Sequence, residues 1–93
     1  MVAILDADST VSFVSPASLA VLGRAPDEIT GRRLVDLIAA VDVPTFIGQL
    51  TGSRAGDQPV RLRTEHADGR KLVVEGTLTN LVGDKVEVQG RLD

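Results

Sequence analysis

The chain carries one imidazole, His66, no cysteine, and 13 acidic residues. Acid–base, nucleophilic or metal chemistry would have to be built from these. Without cysteine there is no thiol nucleophile, no disulfide and no thiolate metal site. His66 precedes Ala67-Asp68-Gly69. That is turn composition, and it places the imidazole beside a surface turn. Serine and aspartate are plentiful, but nothing fixes them beside His66, and the G-x-S-x-G elbow is absent. Paired carboxylates are unavoidable in such a chain and single out none. Asp6-Ala7-Asp8 has the opening of a calcium loop, yet Val11 and Ala17 stand where its glycine and glutamate are needed. The phosphate-cradling G-x-G-x-x-G and P-loop patterns are also missing. The sequence points away from catalysis.

The bulk numbers bound the rest. Ten basic against 13 acidic residues give a net charge of −3, which steers the chain toward neither nucleic acid nor anionic membrane. A hydrophobic content of 43% is that of a globular chain. With two Phe and no Trp or Tyr, its core must be aliphatic. There is no signal peptide and no apolar run long enough for a membrane span, which is compatible with a cytoplasmic location. Strand-like runs start at Val2 and are still running at Leu92. Residues 1–93 are therefore expected to be one domain cut from a longer multidomain protein.

The elements follow from patterning. Val2–Leu5 and Thr10–Val14 form a hairpin around Asp6–Ser9. Ser15 is expected to cap a helix with Pro16 at its first position, Leu19 and Leu22 on one face, and Gly23 as a left-handed stop. Pro26, Asp27 and Glu28 restart a helix, and Gly31 ends it. Leu34, Leu37 and Ile38 have the spacing of an amphipathic turn or two. Asp42 and Pro44 punctuate the start of a short helix with Phe46, Ile47 and Leu50 on one face. It fades at Thr51-Gly52-Ser53, and residues 54–58 form a polar loop. Val60, Leu62 and Thr64 alternate with Arg61, Arg63 and Glu65, as in a half-buried strand. Lys71–Asn80 is a long strand with Leu72, Val74 and Leu78 on one face. A three-residue Ala67-Asp68-Gly69 turn sets Leu62 opposite Val74 and Thr64 opposite Leu72, whereas a two-residue turn would mix the faces. Gly69 is then left-handed. Val82-Gly83-Asp84 turns into a last strand, Lys85–Leu92, with Val86, Val88 and Leu92 on one face and its register open. The order is β-β, short helices, β-β-β: an α+β fold with an antiparallel sheet and the helices on one side.

The chain resembles the PAS family of signalling domains. The resemblance rests on Phe13-Val14-Ser15-Pro16-Ala17, then Leu22-Gly23-Arg24-Ala25-Pro26-Asp27-Glu28, then Gly31-Arg32-Arg33-Leu34-Val35-Asp36-Leu37, in family order and spacing. His66-Ala67-Asp68-Gly69 matches the family's second hairpin, and Gly90-Arg91-Leu92-Asp93 its closing strand. Of the run that often precedes the fourth helix, only Asp42 remains. The amphipathic helix that many members carry before the first strand has no counterpart here. The resemblance implies a five-stranded sheet in the order 2-1-5-4-3, with a pocket between sheet and helices. It also implies a sensory or relay role for an effector domain in the same parent chain: a histidine kinase, a cyclic-dinucleotide enzyme or a sigma-factor regulator.

Measured against what the family can hold, a cysteinyl-flavin or a Cys-linked chromophore is disfavoured because cysteine is absent. Haem is disfavoured because no histidine lies in Val43–Leu50, and caged flavin because Trp is absent. No cofactor is therefore expected. Phe46, Ile47, Leu50, Leu62, Val74 and Val88 either fill the core or enclose a site for a small apolar ligand. On the opposite sheet face, Val73, Thr77 and Thr79 are the candidate contact of a homodimer. The rival to a sensor is a purely structural homodimerisation module with a filled core.

Overall fold

The computed structural model describes residues 1–51, 57–81 and 84–92, and it begins with the expected hairpin. Its strands are β1 (Val2–Leu5) and β2 (Val11–Val14). Ala3, Leu5, Val11 and Val14 point inward and are buried. Ser15 differs from its expected role as a helix cap. Its Oγ accepts the Val2 N–H at 3.0 Å, and its own N–H donates to Val2 O at 2.8 Å. The hydroxyl therefore closes the hairpin, and a tight turn from Ser15 to Ser18 leads into α1 (Ser18–Leu22).

The buried residues of α1 are Ser18 and Leu22, an i, i+4 pair, while Leu19 is 59% exposed. A step of one residue turns a helix by about 100°, so the face that buries Ser18 carries Leu19 off it. The buried Ser18 hydroxyl donates to Arg24 O at 2.8 Å, which satisfies it across the helix stop. Gly23 supplies that stop at φ 70°. Helix α2 (Pro26–Ile29) follows, with the Glu28 carboxylate accepting the Ala25 N–H at 2.8 Å and Ile29 buried.

Residues 31–34 then run beside β2. Gly31 N–H donates to Val11 O, Val11 N–H to Arg32 O, and Leu34 N–H to Ser9 O, all within 2.9 Å. The helical turns expected from Leu34, Leu37 and Ile38 shorten to one 3-10 turn, Leu34–Asp36. Beyond it Ile38 forms an isolated bridge with Thr64, and Ala39 N–H donates to Arg63 O at 2.8 Å. The open edge of the neighbouring strand offers this backbone partners, and it takes them in place of a second helical turn. A further 3-10 turn, Ala40–Asp42, leads into α3 (Val43–Thr51), which buries Phe46 and Leu50.

Strand β3 (Asp57–Glu65) starts at Asp57, within the stretch expected as a polar loop over 54–58. It pairs with β4 (Lys71–Asn80) in the predicted register, Leu62 opposite Val74 and Thr64 opposite Leu72. His66 N–H donates to Arg70 O and Gly69 N–H to His66 O, both at 2.8 Å, and Gly69 has φ 95°. This is the three-residue turn. Strand β5 (Val86–Leu92) sets Leu78 opposite Val88, the register that the sequence left open. The sheet order is β2-β1-β5-β4-β3. The expected helix end at Gly52-Ser53, the loop over 54–56, the Val82-Gly83 turn and Asp93 lie outside the described residues.

Candidate functional site

The six residues proposed to line a ligand site come together. Phe46, Leu50, Leu62, Val74 and Val88 belong to one buried cluster, and Ile47 packs against it half-buried. Phe46 has no exposed surface at all. Helix α3 supplies three of them, and the inward positions of β3, β4 and β5 supply one each. Among the described residues they form the layer between sheet and helices. None of the six lines any of three surface grooves described among these residues.

The largest of those grooves, about 580 Å³, lies instead where residues 36–39 cross the ends of β3 and β4. Leu37, Ile38, Ala39 and Leu72 form its apolar floor, and each is half-buried. The isolated bridge of Ile38 with Thr64, and the hydrogen bond from Thr64 Oγ1 to Leu37 O, fasten the floor to β3. Arg24, Arg32, Arg63 and Lys71 stand around it, with Asp36 and Glu65 as the two carboxylates. Lys71 Nζ lies 2.6 Å from Glu65 Oε2. That hydrogen bond and charge, with a smaller contribution from Arg24, hold Glu65 below the usual carboxylate range. Arg63 leans toward Asp42 at 3.9 Å. The Arg32 guanidinium has no ion-pair or hydrogen-bond partner among the described residues.

Sequence reasoning missed this groove. Its only local trace is the apolar pair Leu37-Ile38, which the structure leaves half-exposed once the expected helix stops short. His66 is also more than a turn residue. Its side chain is 17% exposed and lies so close to Gly23 that a Cβ there would meet its Cε1 at 2.3 Å. Its Nδ1 lies 3.1 Å from Asp68 N and 3.0 Å from Asp68 Oδ1. A neutral ring accepts from the first, and a protonated one donates to the second. No serine side chain hydrogen-bonds to it among the described residues. Nor do those residues hold any group of three or more carboxylates and imidazoles placed to bind a metal.

The proposed dimer residues Val73, Thr77 and Thr79 lie on the outward face of β4, half-buried. Their row is flanked by charge. Arg61 Nε pairs with Glu75 Oε1 at 3.3 Å, and Thr79 Oγ1 donates to Asp57 Oδ1 at 2.7 Å. The apolar part of this face lies farther along, at Val2 and Ile4 of β1 and Phe13 of β2, which is 49% exposed.

Topology and family comparison agree. The family model described as PAS fold matches residues 1–91. The chain belongs to the PAS family. Solved structures similar to this PAS domain include the PAS domain of an HTR-like protein from Haloarcula marismortui. The two are 29% identical, with a TM-score of 0.85, over 100% of this chain and 80% of that one. A domain of a sensory box sensor histidine kinase/response regulator from Geobacter sulfurreducens is 22% identical, with a TM-score of 0.79, over 97% and 80% of the two chains. The Cycle PAS-B domain of Drosophila melanogaster, solved with bound ethylene glycol, is 11% identical, with a TM-score of 0.82, over 99% and 98%. No match was found among curated proteins. Among the described residues no helix is long and apolar enough to cross a membrane.

Proposed function

We propose that this PAS domain is a non-catalytic sensory and relay module of a larger signalling protein. A small ligand or a partner biases its sheet, and the change passes to an effector domain that follows it. A histidine kinase, a cyclic-dinucleotide enzyme or a sigma-factor regulator would suit, in a bacterial cytoplasmic two-component setting. No haem or flavin is required.

The observation that carries this reading is the place of β5. It pairs with β1 on one side and β4 on the other, and its inward Val86 and Val88 belong to the buried core. It is also the last element among the described residues. A displacement of the core layer reaches this strand directly, and an effector joined to it receives the change.

The test is thermal-shift screening of fatty acids and other small apolar compounds, followed by amide NMR of a binder. The reading expects stabilisation by mass action and shifts that extend to Gly90, Arg91 and Leu92. Shifts confined to the binding residues would overturn the relay. Leu62→Trp overfills the core layer. If it abolishes stabilisation, the ligand lies among Phe46, Ile47, Leu50, Leu62, Val74 and Val88; unchanged stabilisation places it elsewhere.

A second reading is supported by Phe13, a large apolar side chain 49% exposed on the outer sheet face. In it the domain is a structural homodimerisation module that senses nothing. Absence of any stabilising compound, together with a stable dimer, would favour it.

A further inference from the structure

The groove over residues 36–39 has two properties that a solvated surface does not require. Its floor is apolar: Leu37, Ile38 and Leu72 pack against the core on one side and keep part of their surface open on the other. Three adjoining aliphatic side chains left half-exposed along one groove are a surface that an apolar body can cover. Its rim is basic. Four cations face two carboxylates, a local surplus of two positive charges on a chain whose net charge is −3. One of those two charges remains unanswered. Glu65 is already bound by Lys71 at 2.6 Å, and Arg63 leans on Asp42, which is outside the lining, so Arg24 and Arg32 stand against Asp36 alone. Arg32 is left with an unpartnered guanidinium, and Arg24 lines the same groove. A guanidinium binds a carboxylate through two parallel N–H groups.

We propose that this groove binds an amphipathic organic monoanion, with the carboxylate at Arg32 and Arg24 and the apolar body over Leu37, Ile38, Ala39 and Leu72. At about 580 Å³ the groove is of the size that small-molecule sites occupy. A neutral apolar compound would leave the guanidinium unanswered. A small inorganic anion would leave the apolar floor wet. A ligand seated here touches the stretch that is hydrogen-bonded to β3 through Ile38, Ala39 and Leu37. The site thus deepens the sensory reading and uses it only for the consequence of binding, since binding itself stands apart from relay.

The experiment titrates the protein with sodium decanoate, with decyltrimethylammonium and acetate as controls, followed by amide NMR and calorimetry. Decanoate is expected to shift amides of residues 37–39, 63–65 and 71–73. The cation of the same chain length and acetate should bind at least about tenfold more weakly, as loss of a charge-assisted pair or of the apolar contact implies. Arg32→Glu, on an exposed side chain, should weaken decanoate by about tenfold or more, and Arg32→Lys should restore part of it. Ala39→Leu, which fills the floor, should also weaken it. Equal binding of the cation, or indifference to Arg32→Glu, overturns the proposal. So do shifts centred on Phe46, Leu62 and Val88, which would place the anion in the core. Binding in the groove with no shift at Gly90–Leu92 keeps the site and overturns the relay.

Discussion

Gly23 and Gly69 both hold left-handed backbone, at φ 70° and 95°, but they stand in different surroundings. Nothing lies within 4 Å of where a Cβ at Gly69 would sit. Gly69→Ala should therefore cost the backbone strain alone, about 1 kcal/mol. At Gly23 the same Cβ would meet the His66 ring at 2.3 Å. Gly23→Ala should cost more than Gly69→Ala in urea unfolding, and adding His66→Ala should recover the excess but not the strain. Both left-handed glycines were legible because a helix stop and a hairpin turn are local. The His66 contact was not, because only the fold brings the second hairpin against the end of α1. The carboxylates predict the response to acid. Asp68 is held below its usual range by hydrogen bonding from Arg70 N–H, Glu65 by Lys71, and Asp8 by the Thr10 N–H. A carboxylate with a depressed folded pKa stabilises the fold above its unfolded pKa, and that contribution is lost as pH falls through the folded value. The urea midpoint should stay level from neutral pH to about 5 and decline from about 4 downward. The decline should be shallow, since these groups lie at the surface within reach of water, and Asp68→Asn should flatten it further.

At the scale of elements, both sheet edges are closed in part by neighbouring chain. Residues 31–34 pair along β2, and residues 37–49 cover β3. Two outward positions of β3 find separate answers. Pro59 has no N–H to offer, and its carbonyl accepts Gln49 Nε2 at 2.8 Å. Arg63 donates its N–H to Asp42 Oδ2 at 2.9 Å and accepts the Ala39 N–H. An uncovered edge is a template for pairing with another chain. Asp42→Ala should cost about 1 kcal/mol and speed amide exchange at Arg63, while Asp42→Asn, which keeps an acceptor, should cost less. Unchanged exchange at Arg63 would mean that the bond does not hold the edge. The register of the second hairpin was legible to the residue because alternation allowed only one pairing. The stretch over 34–38 was not. Its apolar spacing suits a helix, and the strand edge that overrides that spacing is assembled from residues far along the chain.

For the molecule as a whole, the core was legible and the groove was not. Alternation along β3, β4 and β5 and the face of α3 name Phe46, Ile47, Leu50, Leu62, Val74 and Val88 from sequence. The groove is made by side chains of four separated segments, around Arg24, residues 32–39, 63–65 and 71–73, and no pattern in any one of them marks it. The outer sheet face is divided in the same way. Across β3, β4 and β5 it carries charged pairs such as Arg61 with Glu75, between which Val73, Thr77 and Thr79 are a thin apolar strip. Toward β1 and β2 it carries Val2, Ile4 and Phe13. A self-complementary interface buries an apolar centre inside a polar rim, so a homodimer on this face should centre on Phe13 and meet Val73, Thr77 and Thr79 at its flank. Phe13→Glu should then abolish the dimer, because it would bury an unpaired carboxylate at the centre, while Val73→Glu should weaken it less. Sedimentation at tens of micromolar separates the outcomes. A wild-type monomer removes pairing through this face, and a dimer that survives Phe13→Glu but not Val73→Glu moves its centre to β4.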